Sequence, residues 1–296
     1  MAGLWRRARG AKGSKLRVVW RLAGALAAVA FGVVVYVFVT LPDVRALVRS
    51  NPTTTAFMEL REREAAAEGR RLRHEHRWVP YGRISPNLKR AVLVAEDSAF
   101  FEHEGIDVAQ IRASIEASLE RGTAVRGAST ITQQLAKNLY LTPSRDPLRK
   151  LRELVIARRL EAELSKARIF EIYLNVIEWG DGIWGAEAAS RTYFGVSASA
   201  LTREQAALLA GAIINPRVYS PARPRARLLR RQSIILARMG GVTPPATAPE
   251  NLQHESVPEA DEEVAPPEAP VETADPADVP EAPAEVPAAP AASDQG

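Results

Sequence analysis

Between residues 86 and 240 the apolar positions recur three and four apart instead of alternating, as in Val108, Ile111, Ile115 and Leu119, or Leu151, Leu154, Val155 and Ile156 with Leu160. Residues at that spacing share one side of a helix, whereas a half-buried strand alternates. The pattern predicts an all-α, or mainly α, domain. Boundary signals agree with it. Pro86 opens the run toward Phe100, and Thr202 with Gln205 forms a capping-box pattern ahead of Ala206 to Ala212. Glycine-bearing breaks fall at Gly105, Gly122, Gly127, Gly180 to Gly185 and Gly195, and no internal repeat is visible.

A different pattern occupies each end. Leu22 to Leu41 is an uncharged stretch of 20 residues, and at about 1.5 Å per helical residue it matches a hydrocarbon core of roughly 30 Å. Seven Lys and Arg with no acid precede it, from Arg6 to Arg21, which predicts a cytoplasmic N-terminus and an extracytoplasmic remainder. The apolar run is longer than a signal-peptide core and lacks a small-residue cleavage site, so a retained single-pass anchor is expected. Residues 241–296 contain 12 of the 21 prolines and 13 of the 35 acidic residues, without Lys, Arg or an aromatic. Such a segment cannot bury enough surface to offset its ordering entropy and is expected to be a disordered acidic tail. The organisation is a basic segment 1–21, an anchor 22–41, a domain 42–240 and a tail 241–296.

Charge sharpens this division. All 39 Lys and Arg lie in residues 1–240 with 22 of the acids, a net charge of +17 on the body of a chain whose total is +4. A body this basic seeks an anion, which could be a nucleic acid, an anionic lipid or a phosphorylated substrate. The absence of cysteine excludes structural disulfides, thiolate metal sites and cysteine nucleophiles. No phosphate-binding glycine loop, GxSxG or HExxH occurs, and His74 and His76 read as solvated.

Three segments carry candidate chemistry. Glu96 and Asp97 end an apolar helical run, with Phe100, Phe101 and His103 just beyond. A carboxylate there suits a raised pKa and general acid or base work, and equally a plain surface acid pair. Glu153 stands among Arg149, Lys150 and Arg152, where an ion-paired helix face is the ordinary outcome. Between them, Ser129, Thr130, Thr132, Gln133, Gln134, Lys137 and Asn138 fall within ten positions. Helical spacing puts Thr130, Gln133, Gln134, Lys137 and Asn138 on one face and Ile131, Leu135 and Leu139 on another, a neutral polar stripe suited to a sugar or phosphate ligand.

Taken in order, the segments EDSAFFEHEGID, RGASTITQQLAKNLYL, RKLRE, SKARIFEIYLN, WGDGIWGAEAASRTYFG, LTREQAALLAGAIINPRVYSP and RQSIILARM, preceded by NPTTTAFM and WVPYGRIS, resemble the peptidoglycan glycosyltransferases of the monofunctional biosynthetic transglycosylase type. The resemblance covers about Pro42 to Met239, roughly two thirds of the chain. It implies a lysozyme-like α-helical domain that polymerises glycan strands from lipid II at the extracytoplasmic face of the inner membrane, with the nascent glycan and the bilayer as partners, other cell-wall synthesis proteins as further candidates, and no nucleic acid. By carry-over Glu96 is the general base and Glu153 the family's second glutamate. Lys137, Arg145, Arg149 and Lys150 fall where the family places cations near the donor pyrophosphate. Asp97, Phe100, His103, Ser129, Thr130, Gln133, Gln134 and Asn138 fall in the substrate groove that the resemblance implies. Residues 104–126 would form a flap over that groove. Glu171, Tyr173 and Asn175 read as scaffold, and Trp179, Trp184, Tyr193 and Phe194 as core or interfacial aromatics. No cofactor or protein-built metal site is implied, although a divalent cation such as Mg2+ could assist the pyrophosphate. No transpeptidase domain is expected after Met239. The rival readings are a glycan-cleaving lytic transglycosylase or muramidase, which has no need of a pyrophosphate cluster, and a non-catalytic membrane scaffold.

Overall fold

A computed structural model of the chain describes residues 4–71, 73–122, 129–144 and 146–244. Arg145, Gly127 and nearly all of the acidic tail lie outside the described residues. Helix α1 runs from Leu4 to Val39, two residues short of the expected end. The Thr40 amide and hydroxyl both return to the Tyr36 carbonyl, and Leu41 precedes Pro42, whose ring disfavours helical backbone in the residue before it. Within α1, Arg17–Val39 has a mean hydropathy of 2.5 over its most apolar window and is almost wholly exposed. This is a helix long and apolar enough to cross a membrane.

The domain is helical as its periodicity predicts, and most helices begin at a side-chain cap that satisfies an otherwise unpaired amide. Thr55 caps α2 (Ala56–Ala67), Ser85 caps α3 (Pro86–Glu96) with Pro86 in the first turn, and Asp107 caps α4 (Val108–Arg121). Thr130, Asp146 and Ser165 cap α5 (Ile131–Tyr140), α6 (Pro147–Glu163) and α7 (Lys166–Val176). After α8 (Ala186–Phe194), the expected box of Thr202 and Gln205 opens α9 (Arg203–Ala212), and α10 (Ala226–Arg238) follows. Gly122 and Gly195 end α4 and α8 at φ of 62° and 69°.

What periodicity does not show is a small sheet of β1 (Glu75–His76), β2 (Glu178–Gly180) and β3 (Ile183–Trp184) in the order β1-β3-β2, with β1 parallel and β2 antiparallel to β3. Strands of two or three residues are too short to alternate visibly. Gly182 makes the turn possible. Its φ is +70°, and a Cβ there would lie 1.7 Å from the Arg73 carbonyl oxygen. His76, expected in solvent, is half-buried in β1 with Nε2 3.1 Å from the Asn175 carbonyl.

Helices α5 and α7 form the centre, with Ile131, Leu135, Ile169, Phe170, Ile172, Tyr173 and Leu174 all at 0% exposure. Helix α5 also packs on α6, and α3 packs on α9, which lies against α10. Trp179 and Trp184 are core residues, as expected. The buried Arg168 fastens the segment after the anchor to α7 by donating to Leu47 O, Ser50 O and Asn51 Oδ1 at 2.8 to 2.9 Å and pairing with Glu171. Helix α4 departs from expectation in one respect. Its predicted apolar row exists, but Val108, Ile115 and Leu119 are exposed at 64%, 44% and 78%.

Candidate functional site

The last residue of α3 is Glu96, half-buried against α5. Its Oε2 accepts a 2.9 Å hydrogen bond from Gln134 Nε2, and Gln134 Oε1 accepts one of 2.9 Å from the Tyr173 hydroxyl on α7. The phenol leaves the amide only one useful orientation, with its NH2 toward the carboxylate. Burial raises the Glu96 pKa above the usual carboxylate value; the Gln134 bond and the charges of Arg231 and Lys137 oppose the rise, and Asp97 adds to it. Tyr173 is pushed well above its ordinary value by burial and by Glu96 and Asp97, so it remains a donor.

The neighbouring Asp97 does different work. It is 1% exposed, accepts from Ile131 N at 2.9 Å, and receives His103 Nε2 at 3.0 and 3.1 Å on its two oxygens. His103 Nδ1 accepts from Gly105 N at 3.2 Å, which assigns the neutral ring's proton to Nε2. Asp97 thereby joins the end of α3 to the start of α5. Thr130, expected on the polar face, is the N-cap of α5 and donates its hydroxyl to Gly105 O at 2.7 Å. Gln133 donates to the same carbonyl at 3.3 Å and accepts from Lys150 Nζ at 3.0 Å. Phe100 has no exposed surface and packs edge-on to Phe101 with ring centroids 5.0 Å apart. In this conformation Asp97, Phe100, Thr130 and Gln133 present almost no surface to a ligand and build the wall. Asn138 is likewise buried, donating to Gln134 O at 2.8 Å, while Ser129 is exposed with its hydroxyl 3.5 Å from Lys150 Nζ.

Cations gather on the facing turns of α5 and α6. Glu153, 3% exposed, is held by Arg149 Nη1 and Lys150 Nζ on its two oxygens. Lys137, one turn beyond Gln134, feels the charges of Glu96, Glu153, Arg149 and Lys150, and burial lowers its pKa. Its Nζ lies 5.7 Å from the centre of the Phe57 ring, and among the described residues no carboxylate comes within 4.0 Å of it. The cluster sets three cations against two acids, with Lys137 the one that lacks a close counter-ion.

Potential metal ligand atoms of Asp97, His103 and Asp107 come within 4.8 Å of one another. Asp97 and His103 are committed to the joint just described, and Asp107 caps α4 through Gln110 N at 2.7 Å. Mg2+ favours about six oxygen ligands, and this group does not fit it.

Sequence reasoning missed two neighbours of Glu96. Tyr173, on a helix that the sequence gives a scaffold role, also orients Gln134 through its hydroxyl. Arg231 on α10 received no role, although its charge acts on Glu96 and its Nε is anchored on Gly211 O at 3.0 Å. Its signal was present in the RQSIILARM segment.

The family model described as transglycosylase matches residues 63–240, which includes Glu96, Glu153 and the cations around them. A biosynthetic peptidoglycan transglycosylase from Thiobacillus denitrificans is 47% identical over 232 residues, covering 78% of this chain and 100% of that protein. Proteins of the same name from Laribacter hongkongensis and Dechloromonas aromatica are each 50% identical, over 66% and 64% of this chain and 86% and 82% of their own lengths. The chain belongs to the transglycosylase family and is a glycosyltransferase acting on peptidoglycan.

Proposed function

We propose that the protein polymerises glycan strands from lipid II, with Glu96 as general base. The Glu96 carboxylate removes the proton from the 4-hydroxyl of the acceptor GlcNAc as that oxygen attacks C1 of the donor MurNAc. The C1–oxygen bond to the carrier breaks, and its electron pair leaves with undecaprenyl pyrophosphate. A single displacement inverts C1 and turns the α-linked donor into a β-1,4 linkage. The supporting observation is a carboxylate whose hydrogen-bond donor is a neutral amide, raised in pKa, beside a cation without a close counter-ion. A base of this kind accepts a proton more readily near neutral pH.

Lys137, Arg149 and Lys150 neutralise the charge that develops on the pyrophosphate, a leaving group that needs charge stabilisation more than an acid. Glu153 holds two of those cations in place and transfers no proton. The apolar end helix, with its N-terminus in the cytoplasm, keeps the domain at the bilayer that carries its substrate. The uncovered apolar row of α4 suits a flap over the lipid-bearing groove; limited proteolysis should cut residues 104–126 before the core, and equal resistance would remove the flap.

The direct test incubates the full chain with labelled lipid II, beside Glu96→Gln, and digests any product with lysozyme. Lysozyme-sensitive polymer from the parent and none from the variant supports the proposal. Shortened strands from preformed glycan, without polymer from lipid II, would move the protein to the cleaving class.

A further inference from the structure

Where the anchor meets the domain, Tyr36 near the end of α1, Tyr140 and Thr142 at the end of α5, and Asp146, Arg149 and Arg152 around the start of α6 line a cavity of about 200 Å³. The polar groups around it differ in how fully they are matched. Asp146 accepts from Arg149 N and Ser144 Oγ at 2.7 Å each, and the guanidinium of Arg149 is held by Glu153. Arg152 donates through Nη2 to Thr40 O at 3.1 Å, but its Nε is buried without an acceptor, and no carboxylate lies within 4.0 Å among the described residues. The Arg152 guanidinium lines the cavity with no close counter-ion among the described residues, and a charge so placed at a cavity wall calls for an anionic partner.

The position says which anion. Tyr36 lies within one turn of Val39, the end of the apolar span, at the depth where tyrosines sit among lipid headgroups. Leu148 and Leu151 on the adjoining turns of α6 are 37% and 41% exposed, and Tyr36 is 53% exposed, so the cationic cavity has an apolar rim that acyl chains would cover and a free phosphate would not. The Tyr140 hydroxyl, whose pKa is pushed up to about 12 by burial, stays protonated as a further donor.

We propose that this cavity seats the phosphodiester headgroup of an anionic phospholipid from the extracytoplasmic leaflet, fixing the height and tilt of the catalytic domain above the bilayer. The inference rests on the membrane-anchor reading. Its ligand is a resident lipid, not the lipid-linked substrate.

The test uses the full chain in neutral detergent, with phosphatidylglycerol and phosphatidylcholine supplied in equal amounts and retained lipid read by native mass spectrometry. The parent should retain phosphatidylglycerol with about fivefold preference or more, the effect expected of one arginine beside a headgroup of net negative charge, since phosphatidylcholine offsets the same phosphate with its own cation. Arg152→Gln should abolish that preference, and the exposed Arg223→Gln, outside the cavity, should keep it. Because Arg152 also holds Thr40, Thr142→Val supplies a second variant on an exposed residue and should weaken the preference without lowering the melting temperature. Equal retention of the two lipids by the parent, or an undiminished preference in Arg152→Gln, would overturn the proposal. So would displacement of the lipid by millimolar inorganic phosphate or by undecaprenyl pyrophosphate, which would give the cavity to a free anion or to the carrier. Flotation of the parent with vesicles is scored separately, since failure there would sink the anchor reading itself.

Discussion

Glu96 closes α3 with a neutral amide as its hydrogen-bond donor, whereas Glu153, in the second turn of α6, is gripped by a guanidinium and an ammonium of its own helix. Both are acids in a cation-rich groove, yet their surroundings suit opposite tasks. A carboxylate that burial makes more basic, with a single neutral donor, is ready to take a proton. A buried carboxylate ion-paired to two cations instead fixes where those cations stand, and removing it would leave their charges uncompensated. The contrast arises from local sequence. At i−4 and i−3 from Glu153 stand Arg149 and Lys150, while the residues one helical turn before Glu96 are Val92 and Leu93.

The strongest way to break this division is Glu96→Gln. It should lower polymerisation by about 10²- to 10⁴-fold, the usual contribution of a general base, as measured by single-turnover consumption of lipid II. Lys137→Met should come next, with a loss of about 10²- to 10³-fold, comparable to removing one preorganised group that stabilises transition-state charge. Glu153→Gln should be milder, at about tenfold, or roughly 1.4 kcal/mol, and it should leave the acidic limb of the pH–rate profile in place. Tyr173→Phe is expected to be smallest, about fivefold for one lost hydrogen bond of about 1 kcal/mol, with that limb displaced because Gln134 is no longer oriented. A variant order with Glu153→Gln more severe than Glu96→Gln would reverse the assignment.

Stability gives an independent reading of the same contrast. The folded-state pKa of Glu96 lies above its unfolded value, so the native state binds more protons between the two. Its contribution to stability is present below the unfolded value, about 4.3, and is lost as pH rises through the raised folded value. At neutral pH the parent carries that cost and Glu96→Gln does not. The variant should therefore melt no lower than the parent at pH 7, with its relative advantage shrinking as the pH falls toward 4; a variant melting well below the parent at pH 7 would show that Glu96 is structural.

The helices were legible because their signals are local. Pro86 after Ser85, the Thr202 and Gln205 box and the three-and-four spacing of apolar residues all act within one or two turns. The sheet was not, because its longest strand has three residues and its register depends on Gly182 approaching Arg73 from far along the chain. Likewise, both glutamates and the cations could be singled out by residue type and order, and the resemblance already set Glu96 apart as the base, but the neutral donor on its carboxylate could not be read from local spacing. Spacing placed Thr130 and Gln133 on a ligand-facing stripe, and the structure turns both inward onto Gly105 O. The partner that orients Gln134 comes from α7, 39 residues away, so no local pattern could announce it.

The measurement that bears most directly on the central claim is the pH–rate profile of single-turnover lipid II polymerisation for the parent and Glu153→Gln, with Glu96→Gln as the reference for a missing base. If Glu96 is the base, the parent's rate rises with pH through one ionisation above the ordinary carboxylate range, Glu153→Gln keeps that rise at a lower plateau, and Glu96→Gln loses it. Loss of the rise in Glu153→Gln with its retention in Glu96→Gln would contradict the account and transfer the proton to the other carboxylate.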